Sequence, residues 1–263
     1  MGLAFAFSME TYTLLLLCAA AFLAGFVDAI VGGGGLIQTP VSILLLPQYP
    51  ISNVIGSLKT PAFSGTAMAT IQYLKKVRVN IKLYIIMAVI AFFSAYTGSH
   101  LLTLVPNDFM KPVLLFVLIA LAIYTFLKKD FGQKPARHVS LKKQMLYGAL
   151  IACIVGLYDG FIGPGSGSFF ILGFIIFLGF DFLTASTHAK MVNLATNFGS
   201  ICLFALKGKI IWAIAIPMAI SNALGGFLGA KLAIKKGNEF IRYFFLFVVC
   251  LTLLRFAYEV FYV

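Results

Sequence analysis

Charged side chains are scarce in this sequence. Only 11% of its 263 residues are Asp, Glu, Lys or Arg, and only 8 of them are acidic, whereas a soluble domain carries roughly 25% charged residues. Apolar residues make up 61% of the chain, so the polar side chains are too few to cover a surface that faces water. The sequence therefore predicts a membrane protein, with room for about eight to ten apolar segments and no separate soluble domain.

The sequence also lacks the motifs of the common enzyme classes. Its 4 cysteines lie inside apolar runs without C-x-x-C spacing, and its 3 histidines show no metal-ligand spacing. No Walker A motif is present, so ATP is not expected to be the direct energy source. We expect no cofactor, no metal and no enzymatic reaction. The 20 basic residues lie mainly in short loops between apolar runs, which is typical of membrane topology and not of nucleic-acid binding.

The apolar runs predict an all-α polytopic protein. They cover residues 11–31, 36–46, 57–74, 83–104 and 111–127, and then 144–163, 167–179, 186–206, 210–231 and 239–262. Runs 36–46 and 167–179 are too short to cross a hydrocarbon core of roughly 30 Å as straight helices. Each follows a glycine-rich segment, so we predict two half-helices after breaks in the chain. For either break alone, a surface loop is an equal alternative.

The two halves of the chain repeat each other at an offset of 131 residues. Because Asp, Lys and Gly are much rarer here than Leu or Phe, their recurrence in register indicates a duplication. We therefore divide the chain into a first transmembrane repeat at 1–130, a cytoplasmic linker at 131–143 and a second transmembrane repeat at 144–263. The recurring pairs include Asp28 and Asp159, Gly32 and Gly163, Gly34 and Gly165, Lys59 and Lys190, and Lys76 and Lys207.

The distribution of Lys and Arg predicts the orientation. These residues concentrate in the loops 75–82, 128–143 and 231–242, which we expect on the cytoplasmic side of a cell membrane. The first of these loops corresponds by the repeat to the less basic loop 206–213. The halves are therefore expected to be inverted repeats, which requires an odd number of crossings in each half.

Charged residues inside the apolar runs are the first candidates for chemistry. Each costs about 2.5–3.5 kcal/mol at the centre of a membrane helix, so such residues are expected to pair or to line a polar cavity. Ion pairs that only hold helices together are the alternative. The candidates are Asp28, Lys59, Asp159 and Lys190.

A polar stripe accompanies the second of these lysines. Helical spacing puts Thr187, Lys190, Asn193, Asn197 and Ser200 on one face, with His188 adjacent. Polar stripes also serve as hydrogen-bonding contacts between membrane helices. The lysine within the stripe favours a substrate path.

The glycine breaks add the second component of an anion site. Where a broken helix restarts, its first N–H groups lack partners and its dipole is positive, which favours oxyanions. With the two lysines, these helix starts predict an electropositive pocket for a small sulfonate, sulfite or carboxylate. The predicted substrate-binding residues are Gly33, Gly34, Gly35, Lys59, Gly165, Ser166, Gly167, Ser168, Lys190, Asn193 and Asn197.

The same residues resemble a known family. The segments GFVDAIVGGGGLIQTP and GLYDGFIGPGSGSFF, with the K-x-x-N-x-x-T-N run at Lys190–Asn197, are similar to the TauE/SafE family of membrane permeases. The resemblance extends through both repeats and implies a prokaryotic-type polytopic transporter of small sulfur-containing anions, including sulfite and organosulfonates. The first repeat departs from the second, because Ala62 and Thr66 stand where Asn193 and Asn197 do.

These observations predict a secondary active transporter that exports a small sulfur-containing anion. Proton coupling is expected through Asp28, Asp159 and His188, which could exchange protons, and sodium coupling is the alternative. The expected partners are the anion, the lipid bilayer and the ion gradient, and a homo-oligomer is compatible with the sequence. A non-transporting membrane enzyme or complex subunit, and a passive anion channel, are the competing interpretations.

Overall fold

The computed structural model describes residues 2–106 and 139–236, with the backbone alone for residues 2–10. These ranges contain helices and no strand, so the predicted all-α class is confirmed for them. The predicted apolar runs 111–127 and 239–262, and the linker up to residue 138, lie outside the described residues. The eight helices described are α1 Gly2–Val31, α2 Gly35–Leu45, α3 Ile51–Leu74, α4 Ile81–Leu104, α5 Leu141–Phe161, α6 Ser166–Leu178, α7 Phe182–Leu206 and α8 Trp212–Lys236.

Several of these helices are suited to the hydrocarbon core of a bilayer. Five are long and apolar enough to cross it: Thr11–Val31 within α1, and α4, α5, α7 and α8. Large apolar side chains such as Leu23, Phe93 and Ile220 are exposed on their outer faces, where lipid can replace water as the contact. The described residues therefore form a multi-pass membrane protein, as predicted.

Helices α2 and α6 are the short elements. They contain 11 and 13 residues, so at about 1.5 Å per residue neither spans a core of roughly 30 Å. The structure places them where the sequence predicts half-helices after the glycine breaks. At the start of each break the backbone turns through a left-handed glycine, Gly32 with φ +80° and Gly163 with φ +95°, a conformation that glycine adopts without strain.

The two breaks are in direct contact. The backbone N–H of Ser168 donates to the Gly32 carbonyl at 3.1 Å, and the Ser168 hydroxyl donates to the Val31 carbonyl at 2.9 Å. A Cβ atom on Gly32 would lie 2.6 Å from the Ser168 nitrogen, so the approach of the two chains requires glycine. The unwound segments of both halves thus meet inside the helical assembly.

Helices α3 and α7 pack against each other in opposite directions. The start of α3 lies beside the end of α7, where Gly56 approaches the ring of Phe204. Further along, the rings of Phe63 and Phe198 have centroids 6.0 Å apart. Residue numbers therefore rise along α3 as they fall along α7, and the helices are antiparallel.

Two other pairs of helices run in the same direction. Gly225 packs on the backbone of Phe22, and one turn later Gly229 packs on Phe26, so α1 and α8 are parallel. Matching contacts make α4 and α5 parallel, through Gly156 with Ala91 and Gly160 with Ala95.

The helix starts follow the spacing of the sequence repeat. Helices α2, α3 and α4 begin at residues 35, 51 and 81, and α6, α7 and α8 begin at 166, 182 and 212. Each start in the second group lies 131 positions after its counterpart. Equivalent positions of the two halves therefore occupy equivalent positions in their helices.

Candidate anion site between the helix breaks

A cavity of about 60 Å³, whose lining includes two aspartates and one lysine, lies where the two breaks meet. This volume holds a few water molecules or one compact ion. The cavity is lined by residues of α1, α2, α3, α5, α6, α7 and α8 as well as the two breaks. It includes nine of the predicted site residues: Asp28, Gly34, Gly35, Lys59, Asp159, Gly165, Ser166, Asn193 and Asn197.

Lys59 and Asp159 form an ion pair in the wall of this cavity. Lys59 Nζ lies 3.1 Å from Asp159 Oδ1, and the two side chains are only 6% and 4% exposed. The ammonium group also donates to the backbone carbonyl of Asp159, which lies near the C-terminal end of α5 and is therefore a favourable acceptor for a cation. Asp159 Oδ2 has no hydrogen-bond partner among the described residues, so one carboxylate oxygen stays available to a proton or a donor.

The second ion pair mirrors the first. Lys190 Nζ lies 3.0 Å from Asp28 Oδ2 and also donates to the Asp28 backbone carbonyl. The Asp28 side chain is more open, with 22% of its surface exposed, and its Oδ1 lies 3.4 Å from the backbone nitrogen of Gly34. Each lysine thus pairs with the aspartate of the other half.

This pairing changes the electrostatic description of the site. The sequence predicts an electropositive pocket from two lysines and two helix starts. Since a carboxylate balances each lysine, the positive potential that remains comes from the dipoles of the helix starts and from neutral hydrogen-bond donors. The expectation that the first N–H groups of both short helices lack partners is wrong for several of them, which donate to backbone carbonyls: those of Leu36, Ile37, Ser166 and Ser168. An incoming anion has to compete with aspartate for each ammonium group.

A chain of hydrogen bonds joins the predicted asparagines to the first ion pair. Asn197 Nδ2 donates to Asn193 Oδ1 at 2.8 Å, and Asn193 Nδ2 donates to Ser166 Oγ at 3.2 Å. Ser166 Oγ then donates to Asp159 Oδ1 at 2.8 Å. Every donor in the chain is directed toward the carboxylate, so a change in the charge of Asp159 acts on the whole chain.

The first half contributes the equivalent positions with different chemistry. Ala62 and Thr66, which align with Asn193 and Asn197, also line the cavity. Both halves therefore present the same helix face to one cavity, but only the second half supplies amides. The two half-sites are chemically unequal, as the sequence predicts.

Five predicted site residues do not line this cavity: Gly33, Gly167, Ser168, Lys190 and His188. Gly167 and Ser168 form the contact between the two breaks instead. Lys190 reaches the cavity only through its partner, Asp28. His188 is buried with its ring centroid 4.7 Å from that of Phe180 and its Nδ1 2.9 Å from the carbonyl of Thr184.

Three further polar residues line the cavity but were not predicted from the sequence: Gln38, Thr39 and Asn222. All three are buried, and Asn222 Nδ2 donates to Gln38 Oε1 at 2.9 Å. Their signal in the sequence is a neutral polar side chain inside an otherwise apolar run. Gln38 and Thr39 interrupt run 36–46, and Asn222 interrupts run 210–231.

Several membrane helices, two short broken helices and a buried polar site between the halves form the architecture of a membrane transporter. Residues 17–256 match the family described as sulfite exporter TauE/SafE, and the chain belongs to this family. The resemblance noted from the sequence is therefore confirmed. No solved structure matches the chain.

Curated relatives support the same assignment. A probable membrane transporter protein of Sinorhizobium is 36% identical over 88% of this chain and 87% of its own length. One from Haemophilus influenzae is 34% identical over 87% of this chain and 88% of its own length. The YfcA protein of Escherichia coli K12 is 33% identical over 84% and 81%, respectively. These names describe transporters and not enzymes, as expected from the sequence.

Proposed function

We propose that this protein is a secondary active transporter of the cell membrane that exports a small sulfur-containing anion, such as sulfite or an organosulfonate, with proton coupling. The family to which it belongs supports the sulfur-containing substrate. The cavity supports a compact anion, because its volume is small and its wall combines amide, hydroxyl and ammonium donors with two helix starts.

The ion pair between Lys59 and Asp159 is the observation that carries the proposal. Among the described residues, Lys59 is the one lysine that lines the cavity. It forms an ion pair with Asp159. An anion that binds Lys59 weakens this pair and leaves the carboxylate less compensated, which favours a proton on Asp159. By thermodynamic reciprocity, a proton on Asp159 favours anion binding.

Favourable co-binding means that the anion and a proton cross together. The net flux then follows the sum of the electrochemical gradients of the anion and the proton. Export takes place when accumulation of the anion in the cytoplasm outweighs an opposing pH gradient. This arrangement requires no hydrolysis of ATP.

Alternating access would follow from two inverted repeats around the site. The antiparallel packing of the equivalent helices α3 and α7, and the common spacing of helix starts, support the inversion. Transporters of this kind expose a central site to either side by rocking one repeat or bundle against the other. The crossing of the two breaks at Gly32 and Ser168 would be the pivot.

Flux in proteoliposomes tests the proposal. Purified protein is reconstituted and supplied with sulfite, taurine, sulfoacetate, sulfate or a simple carboxylate, with and without a pH gradient. We expect saturable flux of a sulfur-containing anion that a pH gradient drives uphill. Accumulation that never goes beyond the electrochemical equilibrium of the anion alone would identify a passive channel. No flux of any of these anions would contradict the proposed function.

A further inference from the structure

The amide of Gln38 is an unused donor in the cavity wall. Gln38 is 3% exposed, and its Nε2 has no hydrogen-bond partner among the described residues. A buried amide N–H group without a partner is unfavourable, because it has lost its hydrogen bonds to water. A ligand that accepts a hydrogen bond from Nε2 would remove this penalty.

The position of Gln38 on its helix directs this amide toward the glycine break. Gln38 lies in the first turn of α2, which begins at Gly35, and side chains of a helix tilt toward its N-terminus. Gly34 and Gly35 line the same cavity. The N–H groups of Leu36 and Ile37 at this helix start already donate to the carbonyls of Gly33 and Gly34, so the Gln38 amide supplies a donor that the backbone there does not.

Asn222 determines which end of the amide remains free. Its Nδ2 donates to Gln38 Oε1 at 2.9 Å, which occupies the oxygen and leaves the NH₂ group for a ligand. Asn222 itself is enclosed by two glycines: a Cβ on Gly25 would lie 2.7 Å from its Oδ1, and a Cβ on Gly65 would lie 2.9 Å from its backbone oxygen. Asn222 on α8 thus orients a side chain of α2.

We infer that Gln38 binds an oxygen atom of the transported anion and that Asn222 is its positioning residue. The inference rests on the proposed function and names a recognition residue for it. Gln38 lies on α2 and Lys59 on α3, so an anion can engage them with separate oxygen atoms if it carries at least two. Sulfite and sulfonates satisfy this condition.

Anion binding by the purified full-length chain tests this inference, with sodium sulfite and sodium methanesulfonate as calorimetric probes. Gln38→Met keeps the shape and removes the donors, so we expect about ten- to hundredfold weaker binding. Gln38→Glu still accepts from Asn222 but adds a negative charge, and we expect no measurable binding. Gln48→Glu, in an exposed loop, introduces the same charge away from the cavity and is expected to bind like wild type.

The positioning role of Asn222 has its own readout. Asn222→Leu removes the donor to Gln38 Oε1 without adding a charge to the cavity wall and is expected to weaken binding, while the double variant with Gln38→Met is expected to bind no more weakly than its weaker parent. Additive losses would contradict positioning through Gln38. Wild-type affinity in a folded Gln38→Met protein would overturn the inference but not the proposed function. If Gln38→Met does not fold, wild-type affinity in a folded Gln38→Glu protein would overturn the inference instead. A wild-type protein that binds neither probe would overturn both.

Discussion

Lys59 Nζ lies 3.1 Å from Oδ1 of Asp159, an aspartate of the opposite half of the chain. Lys190 and Asp28 repeat this arrangement with the halves exchanged. Both pairs also use the backbone carbonyl of the aspartate, beside the glycine break that follows. Any movement of one half relative to the other therefore acts on both ion pairs and on both breaks.

Loss of Lys59 is predicted to weaken both binding and stability. In Lys59→Ala the buried carboxylate of Asp159 loses its charge partner, and removing one member of a buried pair typically costs about 3–5 kcal/mol. A lower apparent Tm in detergent and at least tenfold weaker sulfite binding are expected. Adding Asp159→Asn removes the uncompensated charge, so the double variant should recover stability but not affinity. Recovery of both would mean that Lys59 is a structural residue only.

The two lysines are predicted to differ in their effect on affinity. Lys59 lines the cavity, whereas Lys190 touches it only through Asp28. Lys190→Ala should therefore reduce sulfite affinity less than Lys59→Ala does, and it should also lower the apparent Tm less, because Asp28 is more exposed than Asp159. Calorimetric titration of both folded variants measures the difference. Equal losses of affinity would place both ammonium groups in contact with the anion.

Asp159→Asn is predicted to separate binding from coupling. The amide oxygen of asparagine can still accept from Lys59 and Ser166, and the amide nitrogen replaces Oδ2, which has no partner among the described residues. The variant resembles protonated aspartate but cannot titrate. We expect retained or tighter anion binding, continued counterflow exchange and no uphill accumulation in a pH gradient.

The mirrored substitution Asp28→Asn serves as the control for this prediction. Asp28 lines the cavity but its partner, Lys190, does not, so an anion in the cavity leaves this ion pair intact and pH-driven accumulation is expected to continue. Loss of accumulation in Asp28→Asn would instead support the expectation from the sequence that Asp28 also carries a proton. Uphill transport by Asp159→Asn with the pH dependence of the wild type would make the Asp159 carboxylate a structural partner only.

The sequence predicted the positions of the short helices well, because glycine and charged residues are strong signals in an apolar chain. Gly35 and Ser166 begin α2 and α6 within one residue of the predicted runs. The same rarity identified Asp28, Lys59 and Asp159 as members of a polar site. The sequence could not predict which aspartate each lysine pairs with, because pairing depends on which helices pack together and not on spacing along the chain.

Neutral polar residues gave a weaker signal. Gln38 and Asn222 cost less than a charge in a membrane helix, so their presence in apolar runs did not demand an explanation. The predicted apolar run at 57–74 also began six residues late, since α3 starts at Ile51. Pro50 directly precedes α3, and proline is common at the start of a helix. Residues 51–56 contain only three apolar side chains, so the apolar run did not extend back to Pro50.

The contact between the breaks is predicted to tolerate no side chain at Gly32. Alanine at this position would have to adopt a left-handed backbone conformation, which costs about 1–2 kcal/mol. Its Cβ would also collide with the backbone of Gly167 and Ser168. Gly208 is a matched control, because its φ is +62° but a Cβ would meet nothing within 4 Å. Gly208→Ala should lower the apparent Tm slightly, and Gly32→Ala should lower it far more or prevent folding. Similar effects would show that the breaks can separate without loss of stability.

Inversion of the two halves is predicted to put Lys76 and Lys207 on opposite sides of the membrane. These residues are 131 positions apart and both are exposed; Lys76 lies two residues after the end of α3, and Lys207 directly follows the end of α7. Because α3 and α7 are antiparallel, their ends point in opposite directions. Lys76 lies in the basic loop at 75–82, so it is the one expected on the cytoplasmic side.

Single-cysteine labelling measures this arrangement. Lys76→Cys and Lys207→Cys are made separately in a chain from which Cys18, Cys153, Cys202 and Cys250 have been removed, and a membrane-impermeant thiol reagent is applied to intact cells and to inverted vesicles. Lys207→Cys should react in cells and Lys76→Cys only in inverted vesicles. If both positions react from the same side, the halves are related by a parallel duplication, and rocking of inverted repeats cannot be the transport mechanism. If each position reacts from the side opposite to the one expected, the inversion stands but the basic loop at 75–82 faces outward, and the orientation predicted from the Lys and Arg distribution is wrong.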